Sequence, residues 1–226
     1  MIHAAGLRRT AAVTVSMLTL LIVSTAPAAA ASNPWTTTTQ AGRTAEAGTG
    51  ECTPIGDGWL SCTETYLSVF SGTQTESGGP RQQVEIACAG IYTYEFNPES
   101  GEGSDGVMED GCSPVSPGDL TFGRKLSSVD LLPTPVMVHQ YACDDSGCVP
   151  TSSRSVTVAA SWVGFGPVYS SRGRSVFEGD GCRYDDRGKG QAREATFAGA
   201  ISGDVVEGWG SIHQGRFTSR SRCAAA

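Results

Sequence analysis

The sequence predicts an all-β domain, a disulfide-stapled sandwich or partly open barrel of about eight to ten short antiparallel strands. Three observations carry this. Val156, Val158, Ala160 and Trp162 alternate with Ser155, Thr157, Ala159 and Ser161. The same two-residue period returns where Ala195, Phe197, Gly199 and Ile201 alternate with Thr196, Ala198, Ala200 and Ser202, the pattern of a strand buried on one face. Beyond the N-terminal apolar run, no stretch of helical length shows a 3.6-residue apolar period.

At the N-terminus, Arg8 and Arg9 precede an apolar run from Ala11 to Val23, followed by Pro27 and a series of alanines. This is the order of a secretory signal peptide, with cleavage expected after Ala30 or Ala31. The run is shorter than the roughly 18 apolar residues that cross a bilayer, so a released protein is expected, with no membrane contact after cleavage. Residues 32–50, rich in Thr, Ala and Gly, contain few side chains able to fill a core and read as a flexible leader. Residues 51–226 then read as a single domain, with a split near 133–150 as the alternative.

All eight cysteines follow the signal. An even number on an exported chain implies disulfides, and about 105 pairings are possible. Short loops favour Cys52 with Cys62 and Cys143 with Cys148; chain order then gives Cys88 with Cys112 and Cys182 with Cys223. Zinc would need paired Cys-x-x-Cys or nearby histidines, which are missing.

Further elements follow in order. Trp59 to Phe70 has strand composition. In Arg81 to Phe96, Val84, Ile86 and Cys88 share a face, and a shift of phase at Ala89-Gly90 is expected before Tyr92, Tyr94 and Phe96. Asn97 to Gly118 reads as a turn-rich acidic loop. Within it Glu99, Glu102, Asp105, Glu109 and Asp110 make the stretch from Asn97 to Asp110 a candidate calcium loop, although its spacing does not fit an EF-hand. Pro133 and Pro135 should break the chain before a strand from Val136 to Cys143. Ser175 to Tyr184 reads as a hairpin turning at Glu178-Gly179-Asp180-Gly181, and two strands, Val205-Val206 and Ser211 to Cys223, should end the chain.

The runs Ser161-Trp162-Val163-Gly164-Phe165-Gly166 and Arg193-Glu194-Ala195-Thr196-Phe197-Ala198-Gly199 carry a likeness over the last third of the chain. It resembles a group of small secreted proteins of high-GC Gram-positive bacteria that share a Trp-x-Gly-x-Gly strand end followed by Arg-x-Ala-Thr-x-x-Gly. The resemblance implies secretion and β-structure and transfers no functional residue.

Removing the signal takes away two of the 16 basic residues and no acidic ones, leaving 14 against 23, a balance of −9. Residues 32–150 hold 4 Lys/Arg against 16 Asp/Glu, and residues 151–226 hold 10 against 7. Unspecific nucleic-acid binding is therefore not expected. Arg172, Arg174, Arg183, Arg187, Lys189 and Arg193 gather around one hairpin as a candidate cationic patch for a wall polymer or an acidic protein. Trp209, Tyr92, Tyr94 and Tyr169 offer aromatic faces to a glycan or a protein, whereas Trp162 belongs with the core. A disulfide-closed loop at Asp144-Asp145-Ser146-Gly147 would suit a secreted inhibitor.

Hydrolases are the competing class. Glu64, Glu85, Glu95 and Asp185-Asp186 are candidate carboxylates for a glycosidase. A serine hydrolase would have only His139 and His213 as bases after the signal, without a Gly-x-Ser-x-Gly elbow. A monomeric, non-enzymatic extracellular binding or structural domain is the expected function, with no catalytic residue or resident cofactor.

Overall fold

The computed structural model describes residues 35–103, 106–144, 147–179 and 182–223. The expected signal peptide lies outside the described residues, which all belong to one compact unit. It contains ten strands: β1 (Thr36–Gly56), β2 (Trp59–Glu76), β3 (Gln82–Phe96), β4 (Val107–Pro114), β5 (Leu120–Phe122), β6 (Ser128–Asp144), β7 (Gly147–Gly164), β8 (Tyr169–Gly179), β9 (Cys182–Ile201) and β10 (Asp204–Cys223). They form one antiparallel sheet in the order β10-β1-β2-β3-β4-β6-β7-β9-β8, and β9 also pairs with β10, so the sheet returns on itself. The closure is ring-like but not a true barrel. β4 meets β6 at only two positions, Glu109 opposite Gln140 and Asp110 opposite His139. That joint is reinforced by Arg154, whose Nε donates to both Glu109 carboxylate oxygens at 3.2 and 3.0 Å, and by the Met137 amide, which donates to Ser113 Oγ at 3.0 Å.

The core forms where every second side chain points inward. Val156, Val158 and Trp162 on β7 are fully buried, as are Val136 on β6, Ala195 on β9, Ile212 on β10 and Ala45 on β1. Trp162 stands opposite Phe197 and their rings pack at 5.2 Å. Full burial of a valine or isoleucine side chain contributes about 1.5–3 kcal/mol each, which makes this alternating set the main source of stability. The open end of the core is plugged by β5 and the 3₁₀ turn Arg124–Leu126; Gly164 is required there, because a Cβ would lie 2.3 Å from Leu126 O.

Five sequence expectations need correction. The stretch from Asn97 to Gly118 is not a loop throughout, since β4 occupies Val107–Pro114 and pairs with β3. Residues 36–50 are not a leader but most of β1, lying between β10 and β2 with Ala45 and Ala47 buried. No phase shift occurs at Gly90: β2 and β3 stay in unbroken register from Leu60 opposite Phe96 to Gln74 opposite Gln82. Val84, Ile86, Cys88, Tyr92, Tyr94 and Phe96 therefore share the outer face, while Ala87 and Ala89 supply the core. Pro133 and Pro135 do not end a strand; β6 runs through both, with Pro133 inside an irregularity between Leu131 and Thr134 and Pro135 paired opposite Thr157. Val205-Val206 and the terminal segment are one strand, β10.

Three disulfides link Cys52 to Cys62, Cys88 to Cys112 and Cys182 to Cys223. Each joins residues directly opposite one another on adjacent strands. Cys143 and Cys148 are also opposite in register, but their side chains and the tip of their loop, residues 145–146, lie outside the described residues. The inhibitory-loop expectation falls there too.

On the outer face, Gly72, Gly42, Gly215 and Gly190 stand in register on β2, β1, β10 and β9. A Cβ at Gly42 would lie 2.4 Å from Ser71 O, and one at Gly190 2.4 Å from Gln214 O. Gly42→Ala is expected to lower stability by about 1–3 kcal/mol, read as a lower urea midpoint at unchanged slope. Replacing Cys182 and Cys223 together by serine opens a link separated by 41 residues and should cost up to about 4 kcal/mol in the same assay.

Candidate functional site

β9 is long enough to serve two partners. Its C-terminal part, from Ala195 to Ile201, pairs with β7 in the core, and its N-terminal part, from Cys182 to Ala192, pairs with β8. With β10 along its other edge, β9 carries an arm beyond the core, and β1, paired to β10 from Thr36 to Gly48, continues that arm on the far side of β10. Residues opposite one another in a ladder share a face, so the pairings assign every arm side chain to one side or the other.

The result is complete segregation of the cations. Arg172, Lys189 and Arg216 stand in one row across β8, β9 and β10. Arg174 and Arg187 form the next, followed by Asp185 beside Arg220, then Glu178, Arg183 and Arg222. All eight cations are exposed on the side that continues the core face. The opposite side carries Ser171, Gly173, Ser175, Gly188, Gly190, Ser219 and a stacked Phe177–Tyr184 pair at 4.7 Å, and no lysine or arginine.

Only part of this charge is neutralised within the arm. Arg174 donates to both Asp185 oxygens at 2.9 and 3.0 Å, and Arg187 does so at 3.2 and 2.9 Å. The hydrogen bonds from Arg187 and then Arg174 hold the Asp185 carboxyl far below the ordinary carboxylate range. Arg183 meets Glu178 at 3.5 Å, and Arg220 lies over the Trp35 ring at 5.4 Å. Arg172, Lys189, Arg216 and Arg222 have no acidic partner among the described residues. At the foot of the basic face, a depression of about 380 Å³ is lined by Arg43, Gln191, Gln214 and glycine backbone.

Five of the six residues expected as a cationic patch thus come together. Arg193 does not join them: its Nε donates to the carbonyls of Phe165 at 3.4 Å and Gly166 at 3.1 Å and fastens that turn to β9. Arg216, Arg220 and Arg222 complete the face and were missed. Their spacing by even numbers in Arg216-Phe217-Thr218-Ser219-Arg220-Ser221-Arg222 is the signal that a strand would present them together.

The hydrolase candidates are not assembled. Glu64 faces outward and is bound by tyrosines, Glu85 faces inward and accepts from Ser71 Oγ at 2.7 Å, and Asp185 and Asp186 point to opposite sides of the arm. On the outer face His213 does meet Ser211 and Glu46: Ser211 Oγ is 2.6 Å from His213 Nε2 and donates to Glu46 Oε1 at 3.1 Å, and Glu46 Oε1 is 3.3 Å from the same Nε2. A catalytic triad places acid and serine on different imidazole nitrogens. Here both share one. His139 Nδ1 lies 2.7 Å from Ser153 Oγ on the far side of the ring.

In the candidate calcium loop, Asn97 Oδ1 accepts from the amides of Glu99 at 2.9 Å and Ser100 at 3.2 Å, and Glu109 is taken by Arg154. Asp105 lies outside the described residues. Of the aromatic candidates, Trp162 is core, Tyr169 and Trp209 are exposed, and Tyr92 stacks on Tyr94 at 5.0 Å. Among the described residues, no helix is long and apolar enough to cross a membrane.

The chain matches no family model, no curated protein and no solved structure.

Burial alone would raise the Glu46 pKa. The hydrogen bond and charge of His213, with the Ser211 hydroxyl, outweigh that and lower it from 4.5. A carboxyl depressed on folding contributes stability above its unfolded pKa and loses it as pH falls through the folded value. Side-chain carboxyl NMR is expected to show Glu46 titrating below 4.5, and to move its midpoint upward in His213→Ala.

Proposed function

We propose that this is a secreted binding protein that holds an anionic polymer of the cell wall or its surroundings on the basic face of β8, β9 and β10. The observation that supports the reading is the segregation of eight exposed cations to one side of the arm and none to the other. Random surface charge does not sort by face across three strands. Two carboxylates on that side, Asp185 and Glu178, leave six charges uncompensated. The signal-like N-terminus and the disulfides support export to an oxidising compartment.

The face is long. From Arg183 to Lys189 the chain extends about 20 Å, and three strands span about 10 Å, dimensions suited to several consecutive charges of a linear chain. The rest of the molecule is acidic and repels the same ligand, which directs it to the arm. Arg43, Gln191 and Gln214 line the depression at the foot of the face, where Arg43 also donates to the Phe122 carbonyl at 3.2 Å.

Titration with polyphosphate, dextran sulfate and polygalacturonate should show binding that weakens steeply with salt. The slope of log affinity against log salt should fall in magnitude by about 3 when Arg172, Lys189, Arg216 and Arg222 are all changed to glutamine, since each neutralised anion contributes roughly 0.7–0.9. Salt-independent binding, or an unchanged slope in a quadruple variant that retains its disulfides and β-sheet spectrum, overturns the proposal.

A further inference from the structure

A second surface lies on the outer face, near the end of β1 remote from the arm. In one row across four strands stand Trp209 on β10, Gly48 on β1, Tyr66 on β2 and Gly90 on β3. The ring sits between the two glycines: a Cβ at Gly48 would stand in ordinary contact with Tyr66 Cδ1 at 3.5 Å, and one at Gly90 with Cδ2 at 3.7 Å. Tyr66 is 46% exposed.

One carboxylate fixes the rings around it. Tyr66 donates its hydroxyl to Glu64 Oε2 at 2.5 Å, and Tyr94 donates to Oε1 at 2.9 Å. With their protons committed, both phenol oxygens face outward only as acceptors. The Glu64 hydrogen bond, with burial, pushes the Tyr66 pKa up to about 12, so the phenol stays neutral. Tyr92 stacks on Tyr94 and extends the aromatic surface. Trp209 is 70% exposed and packs edge-on to Phe165 at 5.6 Å and 74°. It stands two strands from Tyr66, about 10 Å away.

We infer that this Tyr66–Trp209 platform binds a neutral oligosaccharide, with sugar rings stacked on the aromatic side chains and their hydroxyls donating to the Tyr66 and Tyr94 oxygens and to Glu64. Charge selects the occupant. Glu46, Glu64, Asp110 and Glu207 share this face, which disfavours the polyanion assigned to the arm. Their interleaving with the rings breaks up the apolar area that a protein partner would cover. A pyranose has what the surface lacks, an apolar C–H side for the rings and an array of hydroxyl donors for the acceptors. The inference does not rest on the basic face.

Titration of the full chain, after export and with its disulfides formed, with cellohexaose, chitohexaose and laminarihexaose in about 0.5 M salt, where long-range charge effects are screened, reads the site through tryptophan fluorescence and calorimetry. At least one hexasaccharide should bind saturably. Tyr66→Ala and Trp209→Ala should each weaken it about tenfold, Glu64→Gln should weaken it as well, and the quadruple variant of the basic face should bind as the parent does. Trp209 is exposed, so its replacement leaves the fold intact. No binding of any of the three sugars at millimolar concentration, or parental affinity in both aromatic variants, overturns the inference while leaving the polyanion result untouched.

Discussion

The pairing of the first strand with the last is the constraint on which the rest depends. β1 and β10 lie side by side from Thr36 opposite Ser221 to Gly48 opposite Trp209. Without that ladder both would be exposed edges with rows of unpaired amides and carbonyls. The ladder sets Ala45 opposite Ile212 in the core, brings Glu46 to Ser211 and His213 outside, and carries Trp35 to Arg220. Both proposed binding surfaces include β10, the basic face with Arg216 to Arg222 and the aromatic platform with Trp209.

Parity along the strands decides what each surface presents. Because side chains alternate, a one-residue slip between β9 and β10 would send Arg216, Arg220 and Arg222 to the glycine and serine side of the arm and bury nothing in their place. The cross-strand disulfides oppose such slips. Cys182–Cys223 closes the arm end of that ladder, Cys52–Cys62 closes the hairpin end of β1 and β2, and Cys88–Cys112 holds β4 close to its short joint with β6. These links fix register between neighbours, and the core side chains hold the walls of the ring together.

Large alternating side chains were legible in the sequence. Val156 to Trp162 and Ala195 to Ile201 announce both their state and their buried face, and the loops between paired cysteines point to hairpins. β1 was not legible, because its buried residues are alanines and its remaining positions are Thr, Gly and charged groups; its strand character comes from two flanking partners rather than from propensity. On β3 most large residues, including Tyr92 and Tyr94, are half-buried on the outer face, while Ala87 and Ala89 face the core. Reading size as burial inverts that strand. The same inversion hid the platform, since Tyr66 and Glu64 matter through the glycines on neighbouring strands, which only register brings beside them.

The N-to-C closure also dictates when the protein can acquire its shape. Its first strand waits for a partner that is synthesised some 170 residues later. Contacts so distant along the chain carry a large loop-closure cost and make for slow folding. An emerging chain therefore remains unpaired on one side of Thr36–Gly48 until β10 has been made, so the ring closes in one late zippering step rather than strand by strand.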